Sequence, residues 1–162
     1  MIKIISGGQT GVDRAALDTA ARLGLPRGGW CPRGGWAEDH PTPPGLLSAY
    51  PELQETPSTE PQQRTAWNVR DSDRTLILVD QRGLDASPGT ALTRDLAMRE
   101  GRPCLVAALV DEAGVSEAAA WIAAGGDNLV LNIAGPRESE APGIYDAARA
   151  WLERVLAKLP RG

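Results

Sequence analysis

The chain has 162 residues, 42% of them apolar and 23% charged, ordinary proportions for a globular protein able to bury a sizeable core. A net charge of −4 argues against a general nucleic-acid binder but leaves room for a small anion in a local basic pocket. Cys31 and Cys104 lie far apart and His40 stands alone, so there is no disulfide framework and no zinc-type spacing.

Ile2, Ile4 and Ile5 form a short apolar run, followed at once by Gly7-Gly8-Gln9-Thr10-Gly11 and a helical pattern from Val12. Strand, Gly-rich turn and helix in that order expose backbone N–H groups and the positive end of a helix dipole. Both favour an anion, most often a phosphate. Glycines let the backbone approach a ligand with no Cβ between. Thr10 followed by Asp13 reads as a capping box. No Gly-Lys-Ser/Thr follows, so the turn is not a P-loop. The Gly-Gly-x-x-Gly spacing is not a dinucleotide fingerprint, and Arg27 and Arg33 stand where such a site wants a ribose-binding acid. Read without a ligand, the segment is a tight strand-to-helix turn.

The first helix is expected from Val12 to Leu23, with Val12, Ala15, Ala16, Ala20 and Leu23 on one face and Gly24 as its stop. Residues 25–66 are rich in proline and lose all periodicity, which predicts a long loop, functional or mobile. His40 is expected there as an exposed loop residue. Trp30 and Trp36 either cover the core beneath the loop or stack on a flat heterocycle.

Regular structure is expected again near Arg64. Thr75–Val79 reads as a strand buried on both faces. Ser87 with Pro88 opens a helix to about Glu100. Cys104–Leu109 reads as the next strand, with Cys104 as a small buried hydrophobe. Ser116 is expected to cap a helix over about 117–124. A strand from Asn128 to Ala134 leads into Gly135-Pro136-Arg137-Glu138-Ser139. The last helix, about Ile144 to Leu159, carries the clearest amphipathic stripe.

Alternating strands and helices imply an α/β fold around a mainly parallel sheet of five strands or slightly more. Such sheets bind ligands at the carboxyl ends of their strands. The loops at 7–11, 87–90 and 135–139 all fall at that edge. The apolar runs are too short to span a membrane, and a strand starts at the N-terminus, so neither a membrane segment nor a signal peptide is expected. A reducing cytoplasm is the natural setting for these cysteines.

Several motifs occur together in one order. They are Gly7–Asp18, Gly28–Gly34, Arg64-Thr65 with Asn68-Val69, Asp71–Asp73, Gly89-Thr90-x-Leu-Thr, Asn132–Ser139, and Pro142-Gly-Ile-Tyr. In these the chain resembles the molybdenum carrier family over nearly its whole length; residues 41–61 match poorly. That family sits in a wider Rossmann-like group with the lysine decarboxylase-like, cytokinin-activating enzymes. The resemblance implies a Rossmann-like three-layer sandwich, with 1–162 as a single ligand-binding domain. It implies a carrier of molybdenum cofactor, bound as cargo, or of a related anionic, nucleotide-like ligand. It also implies a homo-oligomer and a molybdoenzyme as recipient. No protein metal ligand is expected, because the pterin dithiolene holds the molybdenum.

On this reading the ligand site comprises Gly7, Gly8, Gln9, Thr10, Gly11, Arg33, Arg64, Ser87, Gly89, Thr90, Gly135, Arg137, Glu138 and Ser139. The alternative is a nucleotide-processing hydrolase that cleaves an N-glycosidic bond, as the enzymatic relatives do. Their Gly-Gly-x-Gly-Thr-x-x-Glu motif places a catalytic Glu three residues after Thr. Here that position holds Thr93, which is no general base at neutral pH. Asp13, expected as a helix cap, and Asp71 and Asp73, expected at the opposite edge, leave Glu138 as the hydrolase's carboxylate.

Overall fold

The computed structural model describes residues 1–110 and 112–160. Six parallel strands form one sheet in the order β3-β2-β1-β6-β4-β5. They are β1 (Lys3–Ile5), β2 (Arg27–Cys31), β3 (Leu53–Glu55), β4 (Arg74–Val79), β5 (Cys104–Ala108) and β6 (Val130–Ala134). The α-helices are α1 (Val12–Arg22), α2 (Leu46–Ala49), α3 (Pro61–Arg70), α4 (Pro88–Arg99), α5 (Ala113–Ala123) and α6 (Ile144–Ala157). The sheet is thus a Rossmann-like arrangement whose last strand, β6, lies in its middle.

Strand alternation distributes the core. Ile4, Leu76, Leu78, Leu131 and Ile133 face α1, α5 and α6 and form one continuous apolar cluster with them. The α6 stripe of Ile144, Ala148, Trp151, Leu152, Val155 and Leu156 is spent in this cluster. A smaller cluster of Leu17, Cys31, Ala37, Leu46 and Leu53 lies near the β2–β3 end. The opposite strand positions include Thr75 and Asn132, both buried polar residues, and that side of the sheet carries α3 and α4.

The 25–66 stretch departs most from the sequence reading. It contains β2, α2 and β3, and α3 begins inside it at Pro61. Pro61 suits the first helical position, where an N–H would have no partner anyway. Strand β2, Arg-Gly-Gly-Trp-Cys, has no strand signature; its extended form is imposed from outside. Asn68 of α3 accepts from the Trp30 N–H at 2.8 Å and donates to the Trp30 carbonyl at 2.9 Å, imitating a neighbouring strand. Gly29 lies so close to β1 that a Cβ would sit 2.2 Å from the Ser6 carbonyl oxygen.

Three local expectations are also corrected. The Thr10–Asp13 capping box does not form: Gly11 is the N-cap of α1 and no side chain caps it. Helix α5 starts at Ala113, not after Ser116, because burying Val115 with Ala118, Ala119 and Ile122 needs all of them on one helical face. Strand β5 is an edge strand, so Cys104 is half-buried and Val106 is exposed. No helix among the described residues is long and apolar enough to cross a membrane.

Candidate ligand site at the carboxyl edge of the sheet

A cavity of about 420 Å³ opens at the carboxyl ends of β1 and β6, between α3 and the N-terminus of α4. Chain direction across the sheet reverses here: β1 leads on to β2 and β3, while β4 on the other side leads to β5. Such a switch point splays the loops and leaves a crevice. The volume lies in the usual range for small-molecule sites.

Of the residues expected in the site, Gly7, Gln9, Arg64, Ser87, Gly89, Thr90, Gly135 and Arg137 line the cavity. Arg64 reaches across the first loop, and its Nη1 donates to Asp13 Oδ2 at 2.9 Å. Gly7 makes that crossing possible, since a Cβ there would lie 1.7 Å from the same nitrogen. The Nε of Arg64 is buried with no partner. Burial pushes the Asp13 carboxyl above its ordinary range, more than Arg64 and the Gln9 amide pull it back.

Ser87 caps α4: its Oγ accepts from Thr90 Oγ1 at 2.8 Å and donates to Glu140 Oε1 at 3.1 Å. Pro88 has no N–H to offer, so Gly89 presents the first open amide of the helix. Neither the Gly7 nor the Gly89 N–H meets an acceptor among the described residues. The Arg137 guanidinium is half-exposed, 3.6 Å from Glu140 and 4.0 Å from Glu38. The rim therefore holds two open amides and two guanidiniums, balanced in part by Asp13 and Glu140.

The remaining expected residues lie elsewhere. Gly8 has φ +75° and faces the smaller core, where a Cβ would meet Leu53 at 2.9 Å and Leu46 at 3.0 Å. Gly11 packs under the 136–137 backbone, with the Pro136 carbonyl oxygen 2.3 Å from its missing Cβ. Thr10 and Ser139 both hydrogen-bond Glu38, tying the first loop to the last. Against burial, which raises it, the bonds from Ser139 and Thr10 hold Glu38 below the ordinary carboxylate range. Glu138 accepts from the Gly143 and Tyr145 amides at the start of α6, so the carboxylate expected for a hydrolase is occupied as a cap.

Arg33 is exposed in a second, shallower groove of about 370 Å³ with Trp36, Pro41 and Pro43; only Pro61 borders both. Trp30 packs against α3, with its Nε1 donating to Asp71 at 2.8 Å and its ring edge-on to Trp67. His40 is a half-exposed loop residue bonded to Asp39. Cys31 is buried, and burial pushes its thiol up to about 11. Asn132, Asn68 and Thr65, which stand in the family motifs but outside the expected site, also line the cavity, as do Gln62 and Glu140. For Asn132 a signal was present: a polar residue inside an otherwise apolar strand pattern.

Fold and site together define a Rossmann-like α/β protein with a ligand-sized cavity at its switch point. The chain belongs to the circularly permutated YpsA SLOG family, whose model matches residues 4–156. A central strand that comes last in the chain fits that description. The chain is also similar to a protein from Syntrophus aciditrophicus SB whose crystal structure is named "Putative molybdenum carrier protein". The two are 42% identical with a TM-score of 0.82, over 95% of this chain and 94% of the other. That likeness bears out the resemblance drawn from the motifs. No curated protein matches the chain.

Proposed function

We propose that this protein binds an anionic, nucleotide-like small molecule in the cavity, and that it carries molybdenum cofactor as cargo. The observation that supports this best is the rim: open amides at Gly7 and Gly89, the Arg64 side chain and the half-free Arg137 border one ligand-sized cavity. Amides at a helix N-terminus and arginine guanidiniums are suited to phosphate oxygens. The pterin of the cofactor carries such a phosphate, and the name of the 42% identical neighbour supports the cargo. The molybdenum itself needs no side chain of this chain, because the pterin dithiolene would hold it.

The test is to purify the protein from cofactor-producing cells and measure its absorption spectrum and molybdenum content. Cargo predicts a pterin-dithiolene chromophore with molybdenum near one per chain, and loss of both with Arg137→Ala. A colourless, metal-free parent from such cells overturns the carrier reading.

A second reading, cleavage of an N-glycosidic bond, draws on Asp13, a buried carboxyl in the cavity held above its ordinary range. Release of free base from a nucleoside monophosphate, abolished by Asp13→Asn, separates it from the carrier. Self-association remains part of the carrier reading. Because the α6 stripe is spent on the protomer's own core, the surface available to a second copy is elsewhere, as at exposed Met98 and Val106.

A further inference from the structure

The floor of the cavity is chemically unlike its rim. Strand alternation puts Asn132 of β6 on the sheet face toward α3 and α4, in register between Ile5 of β1 and Thr75 of β4. A central parallel strand buried on both faces calls for an apolar residue at such a position. Asn132 stands there instead, 2% exposed and lining the cavity. Its Nδ2 donates to Thr75 Oγ1 over a long 3.4 Å, and nothing among the described residues donates to its Oδ1. The acceptor is thus unfilled on a residue that lines the cavity, where a donor on a ligand can meet it.

An open acceptor repels an anion. The phosphate therefore belongs at the rim, with Gly7, Gly89 and Arg137, and the floor calls for a hydrogen-bond donor. An amide offers an acceptor with a donor beside it. That pair complements a heterocycle edge on which an N–H adjoins a carbonyl or ring nitrogen, as on guanine, adenine or a pterin. Ala134 and Leu92 add apolar surface for the faces of a flat ring.

We propose that Asn132 is a specificity-determining binding residue that hydrogen-bonds the polar edge of a purine or pterin ring, while the anionic group of the same ligand sits at the rim. This rests on the reading of the cavity as a site for an anionic, nucleotide-like molecule. The experiment is calorimetric titration of the parent and Asn132→Leu with guanosine monophosphate, adenosine monophosphate and ribose 5-phosphate. Leucine keeps the volume and removes both polar groups. The expected result is at least a five-fold weakening for a nucleotide that the parent binds, with ribose 5-phosphate binding unchanged. Unchanged nucleotide affinity overturns the assignment and leaves the anion site standing. Equal weakening of ribose 5-phosphate also overturns it, because the floor then holds sugar or phosphate. A parent that binds none of the three overturns the assignment, and the carrier reading is then decided separately by the molybdenum measurement. Thermal melts check folding, and Asn132→Ser, smaller and polar, replaces the leucine variant if that one fails to fold.

Discussion

Arg64 of α3 and Asp13 of α1 meet at 2.9 Å across the α-carbon of Gly7, so one ion pair joins the two helices that flank the first loop. Their side chains are 14% and 7% exposed. Removing one partner of a buried pair leaves the other charge uncompensated, typically at about 3–5 kcal/mol. Arg64→Ala is therefore expected to lower stability by that order in denaturant melts at pH 7. The loss should shrink at pH 5, because burial already pushes Asp13 toward its protonated form. Adding Asp13→Asn should recover part of it.

Asp39 gives an acid-limb prediction from a pKa shift in the opposite direction. Hydrogen bonds from Arg14 at 2.8 and 2.9 Å hold its carboxyl well below the ordinary range. A depressed folded pKa means that this stabilisation is present above the unfolded value of 3.8 and fades as pH falls toward the folded one. Asp39 is 42% exposed, so solvent screening keeps the contribution under about 1 kcal/mol. Asp39→Asn should cost its full amount at pH 6, somewhat less at pH 3, and little only where the pH falls to the depressed folded value, read from melts carried down the acid limb.

Two glycines in the expected anion loops should behave in opposite ways. Gly8→Val strains a positive φ and drives a side chain into Leu46 and Leu53, so it should depress the melting temperature whatever ligand is present. Gly89 has an ordinary helical backbone and nothing within 4 Å of a Cβ. Gly89→Ala should stabilise the fold by about 0.4–1 kcal/mol through the unfolded state. It should weaken anion binding by placing a methyl at the cavity rim. Calorimetric melts with and without a nucleoside monophosphate separate the two effects.

Adjacent residues at 137 and 138 should likewise split. Arg137→Ala removes a charge-assisted contact to an anion, typically about 1.5–3 kcal/mol, or roughly ten- to hundred-fold in affinity. Its folding stability should barely move, because the guanidinium is half-exposed and weakly paired. Glu138→Ala uncaps α6 and should cost about 0.5–2 kcal/mol of stability, with ligand affinity retained. Paired melts and titrations of the two variants check this.

Much of this molecule was written locally. Thr75–Val79, Ser87-Pro88 and the α6 stripe were legible because period, cap and length act within one element. The parallel α/β fold and the convergence of the 7–11, 87–90 and 135–139 loops followed from element order alone. Within those loops, composition could not separate cavity residues from packing residues. Gly7 and Gly8 are chemically identical, yet one faces Arg64 and the other Leu53. Arg33 and Arg64 look alike in sequence, yet only Arg64 lies on a helix that borders the cavity.

The sequence by itself determined the fold class, the strand-turn-helix entry and the motifs shared with the family. These depend on periodicity, capping and glycine placement over a few residues. Tertiary structure alone decided that a Gly-rich segment becomes β2, because β1 and β3 pair with it and the Asn68 amide of α3 bonds both backbone groups of Trp30. It alone decided that Thr10 and Glu138 brace loops and that Asn132 lies at a cavity floor, beside Thr75, a residue 57 positions away. Each of these is set by partners distant in the chain, and no local pattern encodes which of them will meet.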